Sequence, residues 1–213
     1  MKILNLYACL GGNRYKWDEV ADIEVTAVEW DEELARLYQE RFPNDKVIIA
    51  DAHQYLLDHY KEFDFIWSSP PCPTHSRFQI SMKTTRKMKF PDMKLYQEII
   101  FLNAFYTGKY VVENVIPYYE PLIPAKKRHR HLYWTNFNLP NNLSTRKSPD
   151  MGRTIDKVTA LGKFHDYNFR QYKGKQDHQK IARNLVDYEA GRTILETACG
   201  IIKQSVPNQT NLF

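Results

Sequence analysis

The sequence predicts an α/β fold: a mostly parallel twisted sheet with helices on both faces. Three observations lead there. Short apolar runs alternate with stretches of helical period through residue 113. Helix starts and stops fall between them, as in βαβ units. The chemically interesting residues sit at or just after the strand-like runs, where open parallel sheets carry their ligand crevice.

Taken in order, Lys2–Tyr7 reads as a buried strand running into Gly11-Gly12. Ile23–Val28 is a second strand, followed by a helix over Asp31–Arg41 with Leu34, Leu37 and Tyr38 on one face. Asp31 suits an N-cap and Pro43 a stop. Lys46–Ala50 is a third strand, His53–Tyr60 a short helix and Phe63–Trp67 a fourth strand. Met93–Phe105 repeats apolar residues at helical spacing, and Lys109–Glu113 is a fifth strand. His131–Asn136 reads as a further strand. Residues 137–178 are polar, aromatic and irregular, and Gln179–Ile202 reads as a helix interrupted near Gly191.

The chain has 213 residues, of which 43% are apolar, enough for one domain with a sizeable core. That excludes a disordered tail. Cysteines at 9, 72 and 199 are too few and too distant for a disulfide framework. No apolar run approaches the roughly 20 residues of a membrane span. Met1–Leu6 is shorter than a signal-peptide core, so the expected compartment is a reducing cytoplasm. The net charge of +5 is uneven. Residues 1–80 hold 8 Lys and Arg against 14 Asp and Glu, and residues 81–213 hold 22 against 11. The first part suits a small cofactor. The second either faces a polyanion or is solvated surface.

Gly11-Gly12 after the first strand allows a tight turn and close backbone approach to a ligand. Glu29 lies 17 residues past Gly12, near the spacing at which an acidic strand end takes ribose hydroxyls. Trp30 could stack on an adenine, and Asp51 could accept from its amino group. Together these suggest a nucleoside cofactor, either a dinucleotide or S-adenosylmethionine.

Ser68-Ser69-Pro70-Pro71-Cys72-Pro73-Thr74-His75-Ser76 is the reactive stretch. Prolines on both sides of Cys72 stiffen the loop and present the thiol. A thiolate is a strong nucleophile where positive charge lowers its pKa. Cys9 and Cys199 suit buried packing instead. Cys72 and His75 supply only two of the four ligands of a closed zinc site, so no metal is expected. Glu113-Asn114-Val115 ends an apolar strand, and a partly desolvated carboxyl there can act as acid or hydrogen-bond donor, or simply close a turn. Arg128 and Arg130, in the basic run Lys126–His131, share one face if their strand begins early.

These motifs, in this order, resemble the C5-cytosine DNA methyltransferase family. Asn5–Gly12 is similar to its first cofactor motif, Glu29-Trp30 and Asp51 to its second and third, and Pro70-Pro71-Cys72 to its nucleophile motif. Glu113-Asn114-Val115 and Arg128-x-Arg130 resemble its Glu-Asn-Val and paired-arginine motifs, and Arg183–Val186 its last. The resemblance spans residues 1–135 and 178–200. It implies a Rossmann-like, S-adenosylmethionine-dependent fold, with a catalytic domain over 1–135 plus 178–203, a reduced recognition-like segment over 136–177 and a tail over 204–213. It departs at Tyr7 and Cys9, where Phe and an earlier Gly are usual, and at Pro73 and Lys126, where Gln is usual. Residues 131–177 are too few for the family's full target recognition domain, so a partner chain is one way to supply recognition.

The resemblance implies cofactor contacts from Tyr7, Ala8, Gly11, Gly12, Glu29, Trp30, Asp51, Ala52, Pro70, Asn184 and Val186. It implies that Cys72 attacks C6 of a flipped cytosine, that Glu113 holds N3 and the exocyclic amine, and that Arg130, backed by Arg128, stabilises charge on the ring. C5 then takes the methyl group, and loss of its proton expels Cys72. Ser76, Arg77, Lys83, Arg86, Lys87, Lys89 and Lys94 lie on a loop expected to close over double-stranded DNA. Two alternatives are an RNA substrate, as in the family's tRNA-methylating branch, and a non-catalytic DNA-binding subunit. An oxidoreductase would leave Cys72 unexplained. Gln209-Thr210-Asn211-Leu212-Phe213 resembles peptides that bind the bacterial sliding clamp, through Gln209, Leu212 and Phe213.

Overall fold

In the computed structural model, strand β1 (Lys2–Leu6) runs up the middle of a seven-stranded sheet. The structure describes residues 1–81, 87–141, 143, 146, 149 and 156–201. The other strands are β2 (Glu24–Glu29), β3 (Lys46–Ile49), β4 (Phe65–Ser68), β5 (Lys109–Val115), β6 (Lys126–Arg128) and β7 (His131–Thr135), in the order β3-β2-β1-β4-β5-β7-β6. Strands β1 to β5 are parallel, while β7 runs antiparallel to β5 and β6 antiparallel to β7. The chain moves outward from β1 to β3 and then returns to β4 on the other side. A crevice therefore opens beyond the carboxyl ends of β1 and β4, the place where such sheets bind ligands.

Alternating side chains divide between the two faces of the sheet. Leu4, Leu6, Ile66 and Val112 face helices α2 (Ala52–His59) and α4 (Lys94–Phe105). Ile3, Phe65, Trp67 and Val111 face Trp17 and helix α7 (Tyr188–Ala198). Helix α1 (Glu32–Arg41) packs Tyr38 on Ala27 of β2. Both faces are covered, so the central strands read as continuous apolar runs. Asp31 caps α1 and Asp51 caps α2, each accepting from backbone N–H groups in the first turn.

The irregular stretch 137–178 contains helix α5 (Lys157–His165) and a 3₁₀ turn at Phe169–Gln171. Leu161, Phe169 and Tyr172 share a core with Leu37 of α1 and with Ile181, Ala182 and Leu185. Gln176 donates to Asp31 at 2.7 Å, and Tyr15 donates to Asp166 at 2.6 Å. Residues 156–177 are thus stitched to the α1 side of the sheet, while Leu139 and Leu143 pack with Val111 of β5 and Tyr133 of β7.

The expected helix over Gln179–Ile202 is two helices, α6 (His178–Asn184) and α7, and the break is at Leu185–Asp187 rather than at Gly191. Leu185 and Val186 turn inward onto Gly12, and Asp187 then caps α7. Gly191 lies inside α7, where a Cβ would sit 2.1 Å from the Asn13 carbonyl oxygen. Cys9 is buried as expected, but Cys199 is exposed, because it caps the end of α7 instead of facing the sheet. Among the described residues no helix is long and apolar enough to cross a membrane.

Gly191→Ala tests this packing. Helix propensity alone favours the variant by up to ~1 kcal/mol. The clash with the Asn13 backbone reverses the sign, and urea denaturation is expected to register a loss of about 1–3 kcal/mol.

Candidate active site

The turn after β1 uses three left-handed residues, Tyr7 (φ 57°), Cys9 (φ 48°) and Gly11 (φ 62°). Only the last is the residue type that adopts this conformation freely. Cys9 is held there by its N–H, which donates to the Glu29 carboxylate at 2.9 Å. A Cβ on Gly11 would lie 2.5 Å from the Phe42 ring, and one on Gly12 would lie 2.6 Å from the Val186 carbonyl oxygen. Both glycines therefore answer to the chain's packing on itself.

Beyond this turn is a pocket of about 270 Å³. Six of the residues expected to hold a cofactor line it together: Tyr7, Glu29, Trp30, Asp51, Ala52 and Pro70. Ala8, Gly11, Gly12, Asn184 and Val186 do not line it. Ala8 donates to the Val28 carbonyl at 3.0 Å, Val186 packs over Gly12, and Asn184 is exposed. Pro71, His75, Asp92, Lys94 and Leu95 line the pocket without having been singled out as cofactor contacts. Glu29 is buried and accepts from the N–H groups of Cys9, Trp30 and Asp31. Burial raises its pKa from the ordinary carboxylate range. Asp51 is lowered instead, by the Gln54 N–H and by Lys94 at 3.5 Å. Trp30 is 80% exposed at the rim, as a stacking platform requires.

Behind the pocket lies a group with no sequence signature. Glu98 of α4 is fully buried and accepts from the Tyr7 hydroxyl at 2.6 Å and the Ser68 hydroxyl at 2.6 Å. His53 Nδ1 is 2.9 Å from the same carboxylate. Burial and the adjacent Glu98 charge raise the Tyr7 hydroxyl well above its usual range, so it serves as a fixed donor. Its one trace in the sequence is a charge on the apolar face shared by Leu95, Ile99 and Leu102.

Cys72 follows β4 in a turn closed by the N–H groups of His75 and Ser76, both 3.0 Å from the Cys72 carbonyl oxygen. Asn114 of β5 donates to the Pro70 carbonyl at 2.9 Å, which ties the thiol's loop to the strand carrying Glu113. Glu113 is buried within β5, opposite Tyr133, with His131 Nε2 at 3.5 Å. Among the described residues no cation stands against the thiol to lower its pKa. Burial, reinforced by the Glu113 charge, instead pushes Cys72 up to about 11.

The arginine pair does not share a strand face. Arg128 ends β6, His129 turns the chain at φ 51°, and Arg130 lies in the turn. Arg128 reaches the Pro140 carbonyl at 2.9 Å, whereas Arg130 is exposed. The register places this turn beside Val115, at the active-site end of the sheet. Arg77, Lys87 and Lys89 are exposed on the loop after Cys72, and Ser76 is half-buried. Lys83 and Arg86 lie outside the described residues, as do Gln209, Leu212 and Phe213. Among the described residues no group of three His, Cys, Asp or Glu could hold a metal ion.

The sheet order and the crevice at its switch point define the Rossmann-like fold of S-adenosylmethionine-dependent methyltransferases. The donor set fits that cofactor, with two carboxylates for hydroxyl and amino donors and an exposed indole for the adenine. The sequence profile of the C-5 cytosine-specific DNA methylases matches residues 1–117, more than half of the chain, and the chain belongs to that family. The structure of the Entamoeba histolytica methyltransferase EhMeth is similar, with a TM-score of 0.60 at 10% identity over 96% of this chain and 99% of that one. Spodoptera frugiperda DNMT2, solved as the E260A/E261A/K263A mutant, gives a TM-score of 0.46 at 18% identity over 83% of this chain. This chain spans 60% of that protein's length. No curated protein matches the chain.

Three outcomes are expected. Glu98→Ala strands three buried partners and lowers stability by about 3–5 kcal/mol in chemical denaturation, more than Glu98→Gln does. At pH 8 the Cys72 thiolate is roughly one part in a thousand, so its alkylation by iodoacetamide is slow and accelerates with pH up to about 11. Glu113→Gln removes the like charge, lowers the thiol pKa and speeds alkylation at any pH below that.

Proposed function

We propose that this protein is a DNA cytosine-5 methyltransferase acting through a covalent Cys72 adduct. The reading rests on one arrangement. A nucleophile on the β4 exit and a carboxyl on β5 are tied together by Asn114, beside a pocket suited to S-adenosylmethionine. The cofactor supplies an electrophilic methyl group. All else falls to the chain's own residues.

The Cys72 thiol passes its proton through water to Glu113 and the sulfur adds to C6 of the cytosine, while Glu113 shares that proton with N3, which makes C5 nucleophilic. Glu113 holds N3 and the exocyclic amine. Its charge raises the thiol pKa in the free protein, so a proton gained by Glu113 on meeting the base removes that obstacle. Nucleophile activation is thereby coupled to base binding. After methyl transfer, loss of the C5 proton expels the thiolate and restores the ring. Arg130 stands exposed at the same sheet end and can contact the extruded base or its phosphate. Arg77, Lys87 and Lys89 on one side, with Lys126 and Lys127 on the other, are exposed cations that can neutralise the backbone of a duplex whose cytosine has left the stack.

The test uses tritiated S-adenosylmethionine with cytosine-containing duplex DNA and with tRNA side by side. Transfer to DNA is expected to exceed transfer to tRNA, and Cys72→Ser is expected to lose at least about a thousandfold in rate while still binding cofactor. Glu113→Gln loses about 10²–10⁴-fold. Label reaching DNA at the wild-type rate in Cys72→Ser contradicts the covalent route, and preference for tRNA contradicts the substrate.

A further inference from the structure

His75 has a role beyond packing. It stands three residues after Cys72 and is only 1% exposed. A phenyl ring would fill the same space without burying two polar nitrogens. Nδ1 is 2.6 Å from the Tyr119 hydroxyl, while Nε2 has no hydrogen-bond partner among the described residues. A buried nitrogen left unpaired is a cost that core packing alone does not explain. Burial lowers the ring's pKa, with Asp92 opposing the shift. A neutral imidazole accepts from or donates to Tyr119 according to its tautomer.

The backbone around His75 is equally committed. Its N–H donates to the Cys72 carbonyl at 3.0 Å, and its own carbonyl accepts from the Tyr118 N–H at 2.9 Å. Ser76 pairs with Pro117 in an isolated β-bridge, and Arg77 Nε donates to the Pro117 carbonyl at 3.3 Å. Tyr119 is hydrogen-bonded onward to Tyr96 of α4, whose hydroxyl accepts from the Leu122 N–H at 3.3 Å. The thiol's turn is thus braced against Pro117–Tyr119, the segment that leaves the Glu113 strand. Among the described bonds that join the thiol's turn to Pro117–Tyr119, the His75–Tyr119 contact is the one between two side chains.

We propose that His75 is a positioning residue for methyl transfer, and that the His75–Tyr119 pair holds the Cys72 turn in register with the strand carrying Glu113. The inference rests on the reading of Cys72 and Glu113 as the reacting pair. The brace leaves the cofactor's carboxylate contacts at Glu29 and Asp51 untouched. Tyr119 does not line the pocket, whereas His75 does, so it is loss of the Tyr119 hydroxyl that falls on the chemical step rather than on cofactor binding.

The experiment compares the full-length wild type with His75→Phe, Tyr119→Phe, the double variant and His75→Asn. It measures kcat, KM for S-adenosylmethionine and the alkylation rate of Cys72 in the free protein at pH 9. His75→Phe and Tyr119→Phe are each expected to lower kcat tenfold or more, and Tyr119→Phe, whose residue does not line the pocket, is expected to keep KM within twofold. Each is also expected to raise the alkylation rate at least threefold, as the turn loosens. The double variant should be no worse than the weaker single variant, because both remove one bond. His75→Asn, which keeps a polar atom near the Nδ1 position, should recover most of the rate. Tyr119→Phe removes one hydroxyl and keeps the ring, so it decides the matter even where His75→Phe fails to fold. Wild-type kcat and alkylation in Tyr119→Phe, or losses that multiply in the double variant, overturn the brace. Alkylation needs no nucleic acid, so it reports on the brace even if Cys72→Ser shows the covalent reading to be wrong.

Discussion

A carboxylate sealed inside a protein must be met by donors, and at the switch point of this sheet the donors come from three other elements. Glu98 of α4 gathers Tyr7 from the end of β1, Ser68 from the end of β4 and His53 from α2. Leaving any of them unpaired in a dry interior costs far more than a surface contact does. The strand ends on either side of the crevice are therefore fixed relative to one another before any ligand arrives. Tyr7 accepts a left-handed backbone as part of this, and its ring becomes one wall of the pocket. The shape of the cofactor site is set from behind.

The reactive side works by a different balance. Cys72 and Glu113 stand on neighbouring strand exits, and the carboxylate makes the thiolate harder to form. An isolated low-pKa thiol would be open to oxidation and alkylation. Here the obstacle is a charge that a suitable base can remove by supplying its own hydrogen-bond pattern to Glu113. Reactivity then depends on the relative placement of two side chains, and that placement depends on the hydrogen bonds stitching the Pro70–Arg77 turn to Asn114–Tyr119. Residues 156–177 pack beside α1 and α6, whereas Phe137, Leu139 and Leu143 join the core under β5 and β7.

Much of this was legible in the sequence. The five parallel strands and the Asp31 cap followed from short apolar runs and a helix-start residue; of the six pocket residues, Glu29, Trp30 and Asp51 followed from strand-end chemistry, and Tyr7, Ala52 and Pro70 from the family resemblance. Other features were hidden for identifiable reasons. The three residues of β6, Lys126-Lys127-Arg128, carry no strand signal. They are a strand because β7 offers them an edge. The C-terminal helix breaks where Leu185 and Val186 must turn in over Gly12, a contact between residues some 170 positions apart. Gly191, a natural guess for that break, is glycine because the Asn13 backbone leaves no room for a Cβ.

Apolar runs alternating with helical stretches, and the order of short motifs, by themselves determined the α/β class and the crevice, and singled out Cys72 and Glu113 as the residues of the proposed chemistry. Those depend on local periodicity and residue chemistry, which a linear string carries in full. Tertiary structure alone decided that Glu98 anchors the pocket, that His75 meets Tyr119 beside the Cys72 turn, that Arg128 and Arg130 part company, and that burial with Glu113 raises the Cys72 thiol. Each of these depends on which groups meet across the sheet and how far water is excluded between them, and distance and burial are not properties of sequence neighbours.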